Sequence, residues 1–295
     1  MRRRLATASA LPLLAGAAVL ILVVFGTEDV EHFFKSEATP YRAPHGEWIR
    51  SVPGEHVELW AIGDSGADGD RRVAALIERA NPDRVLYVGD IYSNGTAAEF
   101  EAWDDVWGGL VERMAPTPGN HDWPEANEGY HPYWTAVMAE PPPTHYSFTA
   151  GGWQILSLNS EHEEQAAQIR WARERTARDG TCSVAFWHRP RWSAGPHGDD
   201  AATEGLWRAV SGRVAAVISG HEHNMQRLEP GGGTVQFISG AGGYSHTTPR
   251  QDDPRLEFGD GDHDGALRLR LTPGVARWAF IATGGAVLDA GAMRC

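Results

Sequence analysis

Val57-Glu58-Leu59-Trp60-Ala61-Ile62-Gly63-Asp64-Ser65-Gly66 is an apolar run that breaks at a glycine and delivers a carboxylate in the next position. Val85-Leu86-Tyr87-Val88-Gly89-Asp90-Ile91-Tyr92 repeats the arrangement. Short runs rich in β-branched and aromatic residues and closed by glycine read as buried strands, and Arg71–Ala80 between them has the apolar spacing of a helix. The pair therefore spells β-α-β, with an acid at the C-terminal edge of each strand. The same grammar continues outward. Helices are expected over 97–111, 163–178 and 203–210, and strands over 153–158, 183–187, 214–219 and 235–238. The stretch 265–288 reads as antiparallel hairpins broken at Pro273-Gly274 and Gly284-Gly285. These elements define one α/β domain over 56–295, with no internal repeat and no second-domain linker.

Three further strand-end segments carry side chains that bind metals: Pro118-Gly119-Asn120-His121-Asp122, Trp187-His188-Arg189-Pro190 and Ser219-Gly220-His221-Glu222-His223. Loops at the carboxyl edge of a sheet are where α/β proteins place their sites. A single Gly-Asp turn is usually a structural cap. The two histidines of Gly-His-x-His are more informative, because residues two apart on an extended segment project to the same side. The ordered set of five is the signal, and its oxygen and imidazole donors without thiolate suit Fe, Mn or Zn.

The set resembles the calcineurin-like metallophosphoesterase superfamily, and more closely its purple-acid-phosphatase-like branch, whose pattern is G-D-x-G, G-D-x-x-Y, G-N-H-D/E, a strand-terminal His and G-H-x-H. The resemblance implies a four-layer α/β/β/α sandwich of two mixed β-sheets flanked by helices, with the metal site at the strand C-terminal edges. It implies two divalent or trivalent metal ions, with Asp64 and His223 on one, Asn120, His188 and His221 on the other, and Asp90 bridging. The family tyrosine falls three residues after the bridging acid, whereas here that position is Ser93 and Tyr92 comes one residue early. Tyr92 is therefore read either as a ligand of the first metal or as packing. The resemblance makes His121 a phosphate contact and leaving-group acid. Asp122 either orients its ring or serves as a turn acid, and His197 either faces substrate or is an exposed loop histidine. The implied reaction is hydrolysis of small phosphate monoesters by a water shared between the metals. A phosphodiesterase with the same core and a noncatalytic phosphate- or metal-binding surface module are the alternatives. Arg189 and Arg191 either meet an anionic substrate or pair with local carboxylates. Trp123 and Trp192, on site loops, are candidates for the pocket wall.

A formal charge of −13 over 295 residues excludes a broad phosphate-backbone surface, so nucleic acid is not an expected partner. Arg2, Arg3 and Arg4 precede an uncharged apolar stretch that ends at Gly26. Residues 1–26 read as a membrane anchor with its arginines inside, or as a signal segment, and 27–55 as a polar linker. The catalytic domain is then expected outside the cytoplasm, membrane-anchored, or secreted if the segment is cleaved. The two cysteines, Cys182 and Cys295, either form a disulfide, as an oxidising compartment favours, or remain separate buried thiols.

Overall fold

The computed structural model of the protein describes residues 48–66, 71–177 and 180–295. The apolar stretch 1–26 and most of the linker lie outside them, and among the described residues no helix is long and apolar enough to cross a membrane.

Two mixed sheets face each other. The first has six strands in the order β15-β14-β13-β1-β3-β5. Its parallel part is β1 (Val57–Ile62), β3 (Arg84–Tyr87) and β5 (Met114–Pro116), and its antiparallel part is β13 (Gly265–Thr272), β14 (Val275–Ala282) and β15 (Val287–Arg294). The second has seven strands in the order β12-β10-β11-β9-β8-β7-β6. These are β6 (Tyr146–Ala150), β7 (Trp153–Ser157), β8 (Ser183–Phe186), β9 (Ala216–Ser219), β10 (Met225–Leu228), β11 (Val235–Ser239) and β12 (Leu256–Asp260). A parallel pair, β2 (Ser65–Gly66) and β4 (Ile91–Tyr92), extends the turns after β1 and β3. The runs that lack a polar alternation, such as β3, β8 and β9, are buried at every residue, as strands covered on both faces must be.

Between the sheets Phe237 meets Trp278 and Phe280 at 5.5 and 6.0 Å. The Ser239 hydroxyl donates to the Ala61 carbonyl at 2.8 Å and accepts from the Leu267 amide, so one buried side chain ties β11 to β1 and β13. Helices α4 (Ala166–Thr176) and α5 (Glu204–Val210) cover the seven-stranded sheet through Ala172, Leu206, Trp207 and Val210 packed on Leu156 and Val217. Helix α1 (Arg71–Ala80) buries Val73, Ala74, Leu76 and Ile77. Helix α2 (Ala97–Trp107) sets Trp103 and Trp107 edge-on to Tyr87 of β3, and α3 (Tyr130–Met138) adds Tyr133 and Trp134. The four-layer α/β/β/α sandwich implied by the motifs is the observed architecture.

Element ends differ from the sequence expectations where local chemistry intervenes. The helix expected over 97–111 stops at Trp107, where Gly108 and Gly109, poor α-helix formers, follow and the chain tightens into a 3-10 turn that runs to Arg113. The helix expected from 163 starts at Ala166, because the Asn159 side chain accepts from the Glu161 and His162 amides and bends the chain away. Packing begins earlier than His56. Trp48 and Ile49 are buried, the Trp48 indole donates to the Glu140 carbonyl at 3.1 Å, and Val52 pairs with Ala150. Cys182 and Cys295 form a disulfide with Cα atoms 5.3 Å apart. It joins the entrance of β8 to the chain after β15, at the opposite end of β8 from His188.

Candidate metal centre

Each of the motif segments leaves a strand at the same edge of the sandwich. Asp64 follows β1, Asp90 follows β3, Asn120 to Asp122 follow β5, His188 follows β8, and His221 and His223 follow β9. Asp64, Asp90 and His221 adopt positive φ values of 60°, 65° and 71°, a region non-glycine residues enter only under constraint and mostly at functional sites. Close approach of the backbone is part of the construction. A Cβ on Gly119 would stand 2.0 Å from Asp90 Oδ1, so only glycine allows the β5 turn to lie over that carboxylate.

One cluster forms around the Tyr92 hydroxyl, which lies 2.8 Å from Asp90 Oδ2, 2.7 Å from His223 Nε2 and 3.4 Å from Asp64 Oδ1. The early tyrosine therefore reaches the first cluster despite its shifted position. Its loop is held by Glu99, whose carboxylate accepts from the Ser93, Asn94 and Thr96 amides, while Thr96 caps α2 in return. This capping box, Thr96-x-x-Glu99, was readable in the sequence. A second cluster forms around His188. Its Nδ1 donates to the Val88 carbonyl at 2.9 Å, leaving Nε2 3.0 Å from Asn120 Oδ1 and 3.2 Å from Asp90 Oδ2. Asp90, His188 and His221 present ligand atoms within 4.8 Å of one another. Asp90 thus contributes to both clusters.

Burial and mutual contact set the charge states of the metal-free clusters. Burial raises Asp64 well above the usual carboxylate range. Burial also pushes Asp90 up, but the His188 charge and hydrogen bonds outweigh it and hold Asp90 low. Burial would lower His188, yet the Asp90 carboxylate raises it to about 10. Desolvation, with nearby histidine charges, lowers His221 to about 2 and His223 to about 4, so both are neutral at ordinary pH, the form in which imidazole coordinates. The Tyr92 hydroxyl faces oxygen or nitrogen atoms of Asp90, His223 and Asp64, and His188 Nε2 faces those of Asn120 and Asp90. Carboxylate, carboxamide, phenol and imidazole in this arrangement fit two hard or borderline metal ions.

The residues beside the clusters divide. The His121 amide donates to Asp90 Oδ1 at 2.9 Å, and its ring Nδ1 lies 2.5 Å from the Ser93 carbonyl, which leaves Nε2 available. Asp122 does not orient that ring. It is buried, its oxygens accept from the Asp90, Ile91 and Gly119 amides at 2.8 Å each, and burial plus the Asp90 charge raise it to about 7. It is a turn acid that staples the β3 and β5 loops together. His197 is exposed and lies over His221, ring centroids 4.6 Å apart, with Nδ1 3.1 Å from Glu222 Oε2. Glu222, which the sequence reading passed over, is fully buried and also accepts from Ser193 and Gly198, fixing the His197 loop. Its signal was an acid inside Gly-His-x-His. Ser245, bonded to His223 Nδ1, was likewise missed, although the glycine-rich turn after β11 repeats the strand-end pattern.

Arg189 and Arg191 pair with Glu161 and Glu204, the local-carboxylate alternative. Neither tryptophan meets a donor atom of the clusters. Trp192 is stacked between the guanidinium groups of Arg191 and Arg255, and Trp123 lies between the rings of His131 and His162.

Two facing mixed sheets with such a donor set gathered at one edge place the chain among α/β/β/α proteins built around a metal-type centre. It belongs to the calcineurin-like phosphoesterase family, whose model matches residues 57–225. It is 27% identical over 224 residues to a probable cyclic nucleotide phosphodiesterase of Synechococcus, covering 68% of this chain and 81% of that one. Its fold is similar to a purple acid phosphatase from yellow lupin (Lupinus luteus) seeds, with a TM-score of 0.67 and 16% identity over 83% of this chain; the match spans 55% of the lupin chain. It is similar also to a dimetal phosphatase of Danio rerio, with a TM-score of 0.57 and 13% identity over 81% of this chain and 98% of that chain.

Proposed function

We propose that the protein is a two-metal phosphoric ester hydrolase acting on small phosphate monoesters. The observation that carries this reading is the sharing of Asp90 between two donor clusters, one completed by Asp64, Tyr92 and His223, the other by Asn120, His188 and His221. Bound there, two cations would supply Lewis acidity to a water and to the phosphoryl oxygens. The side chains do the rest. Asp64 and Asp90 neutralise positive charge, His188 is oriented by Val88, and His121 Nε2 carries a proton to the leaving oxygen while Ser93 holds its ring. Glu222 fixes His197 at Nδ1, presenting its other nitrogen toward the phosphate.

A phosphodiesterase is the second reading, favoured by the Synechococcus relative. The deciding assay offers p-nitrophenyl phosphate and bis-p-nitrophenyl phosphate to the protein loaded separately with Mn, Zn and Fe, beside Asp90→Ala. Metal-dependent monoester turnover lost in the variant supports the proposal, and turnover of the diester alone replaces it. Failure on both esters, in folded metal-loaded protein, would leave a binding module. We also propose that the domain works outside the cytoplasm behind residues 1–26, a reading supported by the apolar stretch after three arginines and by a disulfide that suits an oxidising compartment. Protease accessibility in intact cells tests it, and protection of the domain until lysis would refute it.

A further inference from the structure

A pocket of about 330 Å³ opens at the β6 edge of the seven-stranded sheet, and no donor of either metal cluster lines it. Its floor is the face of β6 and β7 that α4 covers. Gln154 stands opposite Thr149 in the register and two positions before Leu156, which shares a buried cluster with Ala172 of that helix. Trp171 and Arg175, one turn apart on α4, supply one wall, and Trp48 and His145 complete the lining used below. The chain running on from Trp48 is anchored to the edge strand, since the Thr149 amide donates to the Ser51 hydroxyl at 3.0 Å and the Val52 amide donates to the Thr149 carbonyl at 2.7 Å. The volume falls within the range of small-molecule sites, about 300–1,000 Å³.

Two buried polar atoms of the lining have no partner among the described residues. Gln154 is 6% exposed and its Oε1 accepts no hydrogen bond, and His145 Nδ1 is equally unpaired while its ring packs on Trp171 at 4.7 Å. Leaving such atoms unpaired is costly, and folded proteins retain few of them. Burial lowers the His145 pKa, so its ring is neutral at pH 7 and Arg175 is the one charged side chain among the described residues of the lining. The Arg175 guanidinium lies 5.5 Å from the centre of the Trp171 ring, and no carboxylate pairs with it among the described residues.

We propose that this pocket is a ligand site separate from the metal centre, and that it takes a small monocarboxylate whose apolar body carries an amino or hydroxyl donor. The planar fork of Arg175 matches the two oxygens of a carboxylate, and one guanidinium balances one negative charge, which favours a carboxylate over a phosphate dianion. The ligand's donor satisfies Gln154 Oε1. Its apolar body lies against Trp171 and against Trp48, whose indole is held by the Glu140 carbonyl.

The test is calorimetry on the full chain with 3-phenyllactate and L-phenylalanine, which carry acid, donor and ring. Beside them stand 3-phenylpropanoate, which lacks the donor, and 2-phenylethanol, which lacks the acid. At least one of the first two should bind, about two- to tenfold more tightly than 3-phenylpropanoate, the range for one hydrogen bond. Arg175→Ala should weaken that binding about tenfold or more, as loss of a bond to a charged group does, and Gln154→Leu should erase the advantage over 3-phenylpropanoate. Thr149→Trp, which fills the pocket from an exposed strand position, should block binding in folded protein even if Gln154→Leu fails to fold. Arg175→Ala should leave phosphoester turnover within about twofold of wild type, as a surface change away from the metal centre does. The proposal is overturned if neither acid binds, or if binding survives both Arg175→Ala and Thr149→Trp. Equal affinity for 2-phenylethanol would also overturn it, by reducing the pocket to an apolar cavity.

Discussion

His121 and its neighbour Asp122 show how adjacent side chains take different tasks. The His121 ring is held by one backbone carbonyl and supplies no atom to either donor cluster, so His121→Ala should leave metal content unchanged. Removing a general acid costs about 100-fold or more in kcat when the leaving group is a poor one. Phenyl phosphate should therefore suffer that loss, and p-nitrophenyl phosphate, whose leaving oxygen needs little protonation, should suffer far less. Equal losses on the two esters would remove His121 from the proton transfer. Asp253 carries a second residue-scale prediction. The Arg255 guanidinium, bonded to both its oxygens, holds its carboxyl at about 2 against an ordinary value of 3.8. A lowered value means stability present above pH 3.8 and lost as pH falls toward 2. Arg255 is partly solvated, so Asp253→Asn should lower metal-free stability by only about 1 kcal/mol at pH 6, and by almost nothing at pH 2. Denaturant melts at the two pH values check it, and a cost equal at both would refute it. The donor residues were legible one by one, because each follows its own strand within a few positions. Glu222 was not, because its role comes from a loop brought over it from 25 residues away in sequence, as the bond from His197 to Glu222 illustrates.

Strands and hairpin turns were the readable elements. Gly274 and Gly285, at φ of 77° and 85°, close the turns that the paired glycine signals marked, and the β13-β14-β15 meander follows from them. Strands β5, β6, β10 and β12 and helix α3 were not identified, since β5 has only three residues, β6 and β10 mix polar residues into their runs, β12 is half-exposed and the Tyr130–Met138 run has aromatic bulk without a clear polar face. Sheet order was not legible either, because β1 lies between β3 and β13, partners separated by most of the chain. That long-range closure is where the disulfide acts. Cys182 and Cys295 are 113 residues apart, and cross-linking a loop of that size removes unfolded-state entropy worth about 5 kcal/mol in the chain-entropy model, of which about 2–4 kcal/mol is typically realised. Cys295→Ser should lower the denaturation midpoint accordingly, and reducing agent should destabilise the wild-type chain but not the variant. The bridge lies at the far end of β8 from His188, so turnover by the folded variant should stay within about twofold of wild type, a change within ordinary surface-mutation effects of about ±0.5 kcal/mol. A loss of metal affinity without a loss of stability would contradict this separation of the two ends.

The sandwich takes its donors from both sheets. Asp64, Asp90 and Asn120 leave β1, β3 and β5 of one, and His188, His221 and His223 leave β8 and β9 of the other. Metals bound among them would cross-link the sheets at this edge, as the disulfide joins β8 to the end of the six-stranded sheet at the other. Without metal, Asp64 and Asp90 face each other buried, and burial with the Asp90 charge keeps Asp64 protonated far above its usual range. Binding must displace that proton and the one at His188, so affinity should weaken as pH falls. Any ligand of the folded state alone adds stability, about 2.7 kcal/mol at a free concentration 100 times its Kd. Removing metal with a chelator at neutral pH should therefore lower Tm as well as abolish turnover, and Mn, Zn or Fe should restore both. Asp90→Ala should have a Tm insensitive to chelator, because the residue common to the two clusters is gone. A wild-type Tm that does not move on chelation, with metal loss confirmed by elemental analysis, would mean that the sheets are held at this edge by protein contacts alone and that the shared-carboxylate reading of Asp90 is wrong.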